Sequence, residues 1–313
     1  MTDIPAKTRA PLWRAFWNSP ALLLTLTALM FAGHSVVARL ALGQISPMTL
    51  TCARWGLALA PLSLAARANF SRDWAILRPR WIFIIAMGAL GFTAFNAMFY
   101  TAAHHTSALN LSIIQGAIPA FVLIGARLIF GVRVGPWQAF GAFITMVGVA
   151  AIASQGDLAK LLGLAFNSGD LIMLLASIFY AGYTVGLRAR PQVSGLGFFT
   201  AMAAVAFVTS IPLLGLEIAS GAFIWPTLKG LALLAYAALF PSLIAQIMFM
   251  RGVELIGPGR AGVYVNLVPV FGALLAVALL GESFAAYHAI ALILVFLGIA
   301  IAERAARPSS AVR

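Results

Sequence analysis

Ten runs of about twenty mostly apolar residues, joined by short connections, leave this chain almost no choice of solvent. They lie near 20–42, 47–66, 80–100, 107–127, 136–154, 168–187, 195–217, 228–249, 260–280 and 284–303. A run of that length, helical at 1.5 Å per residue, spans the roughly 30 Å hydrocarbon core of a bilayer. The ends of the runs are marked by breakers: Ser46-Pro47, Arg78-Pro79, Gly135-Pro136, Arg190-Pro191, Trp225-Pro226 and Gly257-Pro258-Gly259. Only 9% of the 313 residues are charged and 62% are hydrophobic, too few charges to clothe a water-exposed surface of this size. Soluble domains carry about 25%. The expectation is an all-α integral membrane protein with ten transmembrane helices, its partner the lipid bilayer.

Charge tests that count. Of the twenty Lys and Arg, only Arg39, Lys160 and Lys229 fall on the side of the odd-numbered connections, and Arg54 lies inside a run. The remaining sixteen share the side of the N-terminal tail, which the positive-inside rule places in the cytoplasm with the C-terminus. Six of the seven Trp (Trp13, Trp17, Trp74, Trp81, Trp137 and Trp225) fall at run ends, where an interfacial aromatic belt belongs. The net charge of +12 therefore reads as membrane orientation and not as a nucleic-acid surface, since the basic residues form short clusters between runs. The N-terminal run is too long for a signal-peptide core, and residues 1–19 read as a cytoplasmic tail. One cysteine, Cys52, excludes an internal disulfide and a cysteine-based metal site.

The chain also repeats itself. QGAIPAFVLIGARLIFG (115–131) and VNLVPVFGALLAVALLG (265–281) match at Pro119/Pro269, Phe121/Phe271, Ala126/Ala276 and Gly131/Gly281, all 150 residues apart. Asn96/Gln246 and Gly148/Gly298 keep that offset, and Gly33/Gly182 and His34/Tyr183 are 149 apart. Residues 20–155 and 167–303 thus form two copies of a five-helix unit, and 304–313 is a second cytoplasmic tail. Five is odd, so the second copy is inverted in the membrane. A proline inside a helix removes a hydrogen bond, so Pro119 and Pro269 are expected to kink equivalent helices and act in gating.

These residues resemble the drug/metabolite transporter superfamily, and the EamA-type ten-helix transporters within it. LMFAGHSVVARLAL, ISPMTLTCARWGLAL and MFYTAAHHTSALNLSIIQGAIPAFVLIGARLIFG carry the likeness in the first half. FMRGVELIGPGRAGVYVNLVPVFGALLAVALLGESF and ALILVFLGIAIAER carry it in the second. The Gly-Glu pair of that family is present as Gly281-Glu282, while its first-half counterpart is Gly131-Val132. The general shape is similar to the YddG-type exporters of aromatic and other amino acids. The resemblance implies a bacterial inner-membrane protein exporting small metabolites.

Polar side chains inside spans are costly, and they are the natural candidates for substrate contact. His34, Arg54, Asn96, Tyr100 and Gln115 stand in the first half, and Tyr183, Gln246, Tyr264 and Asn266 in the second, with Phe95 and Phe179 as neighbouring rings. Arg54 suits a substrate carboxylate, and Asn96 and Gln246 suit a zwitterion. Each has a structural alternative as a hydrogen bond between helices. The pairing of His34 with Tyr183 points to a central cavity. Gly182-x-x-x-Gly186 reads as close helix packing. The eight acids all fall in connections or at run ends, which favours facilitated diffusion or exchange over a buried-carboxylate proton antiport. No P-loop, H-E-x-x-H or G-x-S-x-G occurs, so neither cofactor, metal nor enzymatic activity is expected. The substrate class is a neutral, apolar or aromatic amino acid. The alternative is a drug or cationic toxin held by cation-π contacts, with proton coupling.

Overall fold

The computed structural model describes residues 12–157, 159, 166–256 and 258–306. Lys160 and residues 1–11 and 307–313 of the two tails lie outside them. Among the described residues there are helices and no strands. Helical rods among the described residues, labelled in chain order, begin with α1 (Pro20–Leu40), α2 (Pro47–Ala65), α3 (Trp81–Gly88, continuing through Phe95–Ala102), α4 (Ala108–Gln115, then Ile118–Phe130) and α5 (Pro136–Ala153). After the connection come α6 (Ser168–Gly186), α7 (Gly195–Ala219), α8 (Leu228–Leu239, continuing through Ala245–Ile256), α9 (Pro258–Val265, then Val268–Leu280) and α10 (Ala286–Ala306). Short helices at Leu12–Trp17 and Arg67–Leu77 precede α1 and α3. Pro20, Pro47 and Pro136 open their helices, where a missing N–H costs nothing.

Among the described residues, seven stretches are long and apolar enough to cross a bilayer. The α2 helix, which carries Arg54, is not one of them, and Val268–Leu280 and Ala286–Ala302 are shorter apolar helices. The outward surface is apolar, with Leu64 and Leu128 each 78% exposed. This is a multi-pass membrane protein.

The repeat is visible in the packing. The α5 and α10 helices lie against each other, α2 lies against α7, α1 packs on α8 and α9, and α6 packs correspondingly on α3 and α4. Glycine sets the α5–α10 distance: a Cβ at Gly141 would collide with the Gly298 carbonyl, and one at Gly148 would lie 2.9 Å from the Ala291 carbonyl. Those two contacts are exchanged by the 150-residue offset. Gly182, by contrast, has nothing within 4 Å of an added Cβ, so the expected packing motif in α6 reduces to Gly186 against Met87.

At each of the two prolines the helical hydrogen-bond ladder is interrupted. Each stands in the first turn of a second half-helix, and the chain breaks just before it. Gly116 and Ala117 are held by three-residue turns to Ile113 and Ile114, and Leu267 is held likewise to Tyr264. Proline clashes with the carbonyl four residues back, so the helix ends there and restarts with proline at a position that needs no donor. Pro119→Ala and Pro269→Ala are therefore expected to cost less than about 1 kcal/mol each in thermal or denaturant unfolding. A gain of about 3 kcal/mol, the relief expected when alanine replaces a helix-interior proline, would contradict this placement. Both half-helices end on a left-handed glycine, Gly131 and Gly281, each at φ 65°, a conformation that disfavours any side chain.

A second pair of irregularities was not foreseen. One π-turn, Ala89–Ala94, interrupts α3 and another, Phe240–Ile244, interrupts α8, again about 150 residues apart. A π-turn leaves carbonyls without their usual partners and rotates the residues after it, and such turns are frequent at functional sites.

Candidate functional site

Arg54 lies in the second turn of α2, about 10 Å along the helix from Pro47 at 1.5 Å per residue, and is only 5% exposed. Four elements converge on it. The π-turn of α8 presents Ser242, whose hydroxyl donates to the Ala237 carbonyl five residues back at 2.7 Å and accepts from Arg54 Nε at 2.5 Å. The π-turn of α3 precedes Asn96, which donates through Nδ2 to the Phe92 carbonyl and accepts from Arg54 Nη1 through Oδ1, both at 2.5 Å. Tyr100, one turn further along α3, places its hydroxyl 3.0 Å from Nη1. From α1, His34 Nε2 lies 2.7 Å from both Nη1 and the Tyr100 hydroxyl.

This geometry assigns the histidine. Arginine has donors only, so His34 Nε2 accepts and the proton sits on Nδ1, which makes the ring neutral. Arg54 is consequently a full positive charge bonded to a hydroxyl, an amide, a phenol and a neutral imidazole. Among the described residues no carboxylate lies within ion-pairing distance of it. An unpaired charge in a medium of low dielectric costs several kcal/mol, which packing alone does not explain.

Rings enclose one side. His34 stacks on Phe99 at 4.5 Å, Phe99 neighbours Phe95 at 5.7 Å, and Phe95 meets Tyr180 at 5.0 Å. Tyr180 leads to Tyr183 at 5.4 Å, Tyr183 to Phe92 at 5.3 Å, and Phe92 to Trp55 at 4.6 Å. Of the candidate residues, His34, Arg54, Asn96 and Tyr100 thus form one hydrogen-bonded group, with Phe95 and Tyr183 in the aromatic wall beside it. Gln115 sits near, its amide donating to Ser35 Oγ at 3.4 Å and to the Leu111 carbonyl at 3.3 Å. Phe179, Gln246, Tyr264 and Asn266 are not in the group. The sequence equivalence of Asn96 and Gln246 therefore does not become equivalent contact with Arg54. Ser242 escaped sequence reasoning, for a serine in an apolar run is unremarkable. The only signal was Pro241 inside the eighth run.

The expected central cavity is closed at Arg54 in this conformation, where neither His34, Asn96, Tyr100 nor Ser242 exceeds 7% exposure. A cavity of about 540 Å³ lies instead at one end of the bundle, lined among others by Arg39, His104, Asn110, Asn167, Glu282 and His288. All of these belong to the basic-poor connections and adjoining helix ends. His104 is held below the usual imidazole range by burial first, and then by its neighbours His105 and Arg39. Arg39 donates to the Ala103 carbonyl at 2.7 Å and lies 4.0 Å from Glu282. Among the described residues no cluster of His, Cys, Asp and Glu could hold a metal ion.

Carboxylates bind the two repeats at this end. Glu217, from α7, accepts from the Met48 and Thr49 amides at 2.9 and 3.0 Å at the start of α2. Glu282, after α9, accepts from the Ala108 and Leu109 amides, both at 2.9 Å, at the start of α4. Asp170, fully buried in the first turn of α6, accepts from the Thr106 hydroxyl at 2.5 Å and Asn110 Nδ2 at 3.3 Å. At the opposite end Asp73 accepts from the Ser194 amide at 3.0 Å and its hydroxyl at 2.5 Å at the start of α7. Glu217, Glu282 and Asp73 thus sit against helix N-termini of the other repeat.

The profile of the EamA-like transporter family matches residues 18–154 and again 167–303. The chain belongs to that family. It is similar to the Bacillus subtilis protein named uncharacterized transporter YyaM, 27% identical over 276 residues, covering 85% of this chain and 88% of that one. A protein from Archaeoglobus fulgidus, named an uncharacterized transporter, is 28% identical over 84% of this chain and 89% of its own. The Escherichia coli K12 protein named uncharacterized inner membrane transporter YedA is 27% identical over 63% of this chain and 62% of its own. A crystal structure with 18% identity covers 93% of this chain and 99% of its own at a TM-score of 0.63, a likeness of fold. The EamA-like chain is a membrane transporter.

Proposed function

We propose that this EamA-like transporter exports neutral amino acids with apolar or aromatic side chains, by exchange or facilitated diffusion. Its ten helices cross the bacterial inner membrane as two inverted five-helix repeats, residues 20–155 and 167–303, with both termini cytoplasmic. Sixteen basic residues on one side support that orientation, and the name of the Escherichia coli relative supports the membrane. The observation that carries the substrate reading is Arg54: a buried guanidinium with neutral partners and no carboxylate of its own among the described residues. A substrate carboxylate supplies the missing anion, and the rings beside it accept an apolar side chain. His34, Asn96 and Tyr100 hold the guanidinium in register. Gln115, Phe179, Gln246, Tyr264 and Asn266 stand as contacts for other steps of the path, as the chain opens around the breaks before Pro119 and Pro269.

The rival substrate, a lipophilic cation, fits less well. A second positive charge 4 Å from Arg54 would be repelled by about 4 kcal/mol at an effective dielectric of 20. The test is counterflow in vesicles reconstituted with purified protein. Radiolabelled phenylalanine is expected to accumulate against unlabelled phenylalanine inside, without an imposed pH gradient. Accumulation of a lipophilic cation without phenylalanine counterflow would reverse the assignment.

A further inference from the structure

Trp55 differs from four exposed tryptophans of this chain. Trp74, Trp81, Trp137 and Trp225 are 50%, 59%, 66% and 82% exposed, as interfacial anchors are. Trp55 is 2% exposed, next to Arg54 in α2, and its Nε1 is buried with no hydrogen-bond acceptor among the described residues. Indole is a donor only, so no rotation of a proton and no second lone pair can satisfy it. Leaving such a group unmade costs about 1–3 kcal/mol. The ring itself is firmly placed: it stacks on Phe92 at 4.6 Å with the planes 8° apart, and the Arg54 guanidinium carbon lies over it at 5.2 Å.

Two donors that lack what they need therefore stand side by side in the middle of the molecule. Arg54 lacks an anion and Trp55 lacks an acceptor. A single planar carboxylate answers both, since its two oxygens offer about four acceptor sites and a guanidinium fork occupies only part of them. Resting on the amino acid reading above, we infer that Trp55 Nε1 is a specificity-determining donor to the substrate's carboxylate. Together with Arg54 it restricts the transporter to ligands bearing that group. A hydroxyl or amide in its place offers the indole an acceptor but leaves the guanidinium charge unpaired.

The experiment compares ligands that differ in the carboxylate, using the counterflow assay on wild type and Trp55→Phe. The variant keeps an aromatic ring on Phe92 and removes the donor. Its KM for phenylalanine is expected to rise about tenfold with little change in the maximal rate, because a hydrogen bond to a charged group is lost. Inhibition by 3-phenylpropionate, which keeps the carboxylate, should weaken by a similar factor. Inhibition by phenethylamine, which lacks it and is expected to be weak already in wild type, should change less than about twofold. Equal losses for both inhibitors would make Trp55 a packing residue and overturn the inference, as would an unchanged KM. Counterflow absent in wild type removes the amino acid reading and this inference with it, whereas counterflow in Trp55→Phe with the wild-type KM removes the inference alone. If Trp55→Phe is not monodisperse, Trp55→His, which keeps a ring N–H, is the second variant. It is expected to retain preference for 3-phenylpropionate over phenethylamine, and loss of that preference overturns the proposal.

Discussion

Arg54→Gln is expected to lower phenylalanine counterflow by about two orders of magnitude while leaving the purified protein as stable as wild type or more so. The two signs come from one cause. Removing one member of a buried charge pair costs about 3 kcal/mol or more of binding, and that member here is the only positive charge at the site. Without substrate, however, the same guanidinium has no counter-charge among the described residues, and replacing a poorly compensated buried ion by a neutral group is often neutral or stabilising by about 1–4 kcal/mol. Glutamine can still bond Ser242 and Asn96, so the local network has a partner left. A structural arginine would behave in the opposite way, with folding lost and transport lost alongside it. Thermal unfolding and counterflow on the same preparation separate the two. Arg54→Lys should fall between, since an ammonium keeps the charge and loses the planar fork that bonds Ser242, Asn96 and a carboxylate together.

Much of this arrangement was legible before any coordinates, and what was not has a common physical reason. Helical lipid-exposed spans announce themselves through length and apolarity, and the 150-residue offset exposes the repeat, because both are properties of a chain read in order. Arg54, His34, Asn96 and Tyr100 could be singled out by the cost of placing polar groups in a membrane interior. Their mutual contact, across α1, α2 and α3, required the packing. The π-turns were missed since Ala89–Ala94 and Phe240–Ile244 carry no composition that distinguishes them from α-helix. The prolines marked where the ladder is interrupted, but proline disfavours the helix behind it whether the chain kinks or stops and restarts, and sequence does not distinguish the two. Repeat equivalence does not extend to contact at the site, where Asn96 joins Arg54 and Gln246 does not. A transporter whose repeats share a fold can still bind an asymmetric substrate with one of them.

Replacing Glu217 and Glu282 together by alanine is expected to open the basic-poor end of the bundle. Each carboxylate from the second repeat bonds two backbone amides at a helix start of the first, α2 for Glu217 and α4 for Glu282. Hydrogen bonds to charged groups contribute about 1.5–3 kcal/mol, so losing both contacts shifts the balance between closed and open arrangements by about 4 kcal/mol, close to a thousandfold in population. The opposite end is not equivalent. Asp73 fastens the start of α7 there, but the position corresponding to Glu282 is Val132, which has no carboxylate to offer the start of α9. Closure is thus weighted toward the basic-poor end, which in the proposed orientation faces away from the cytoplasm, a bias suited to the proposed export. The reporter is Thr51, fully buried one turn from Arg54 on the side of Pro47. In a Cys52→Ser background, Thr51→Cys should react slowly with a membrane-impermeant maleimide added outside intact cells, and at least tenfold faster once both glutamates are gone. Unchanged labelling would mean that these carboxylates cap helices without governing access, and that the two ends of the transporter are held by something other than charge at helix termini.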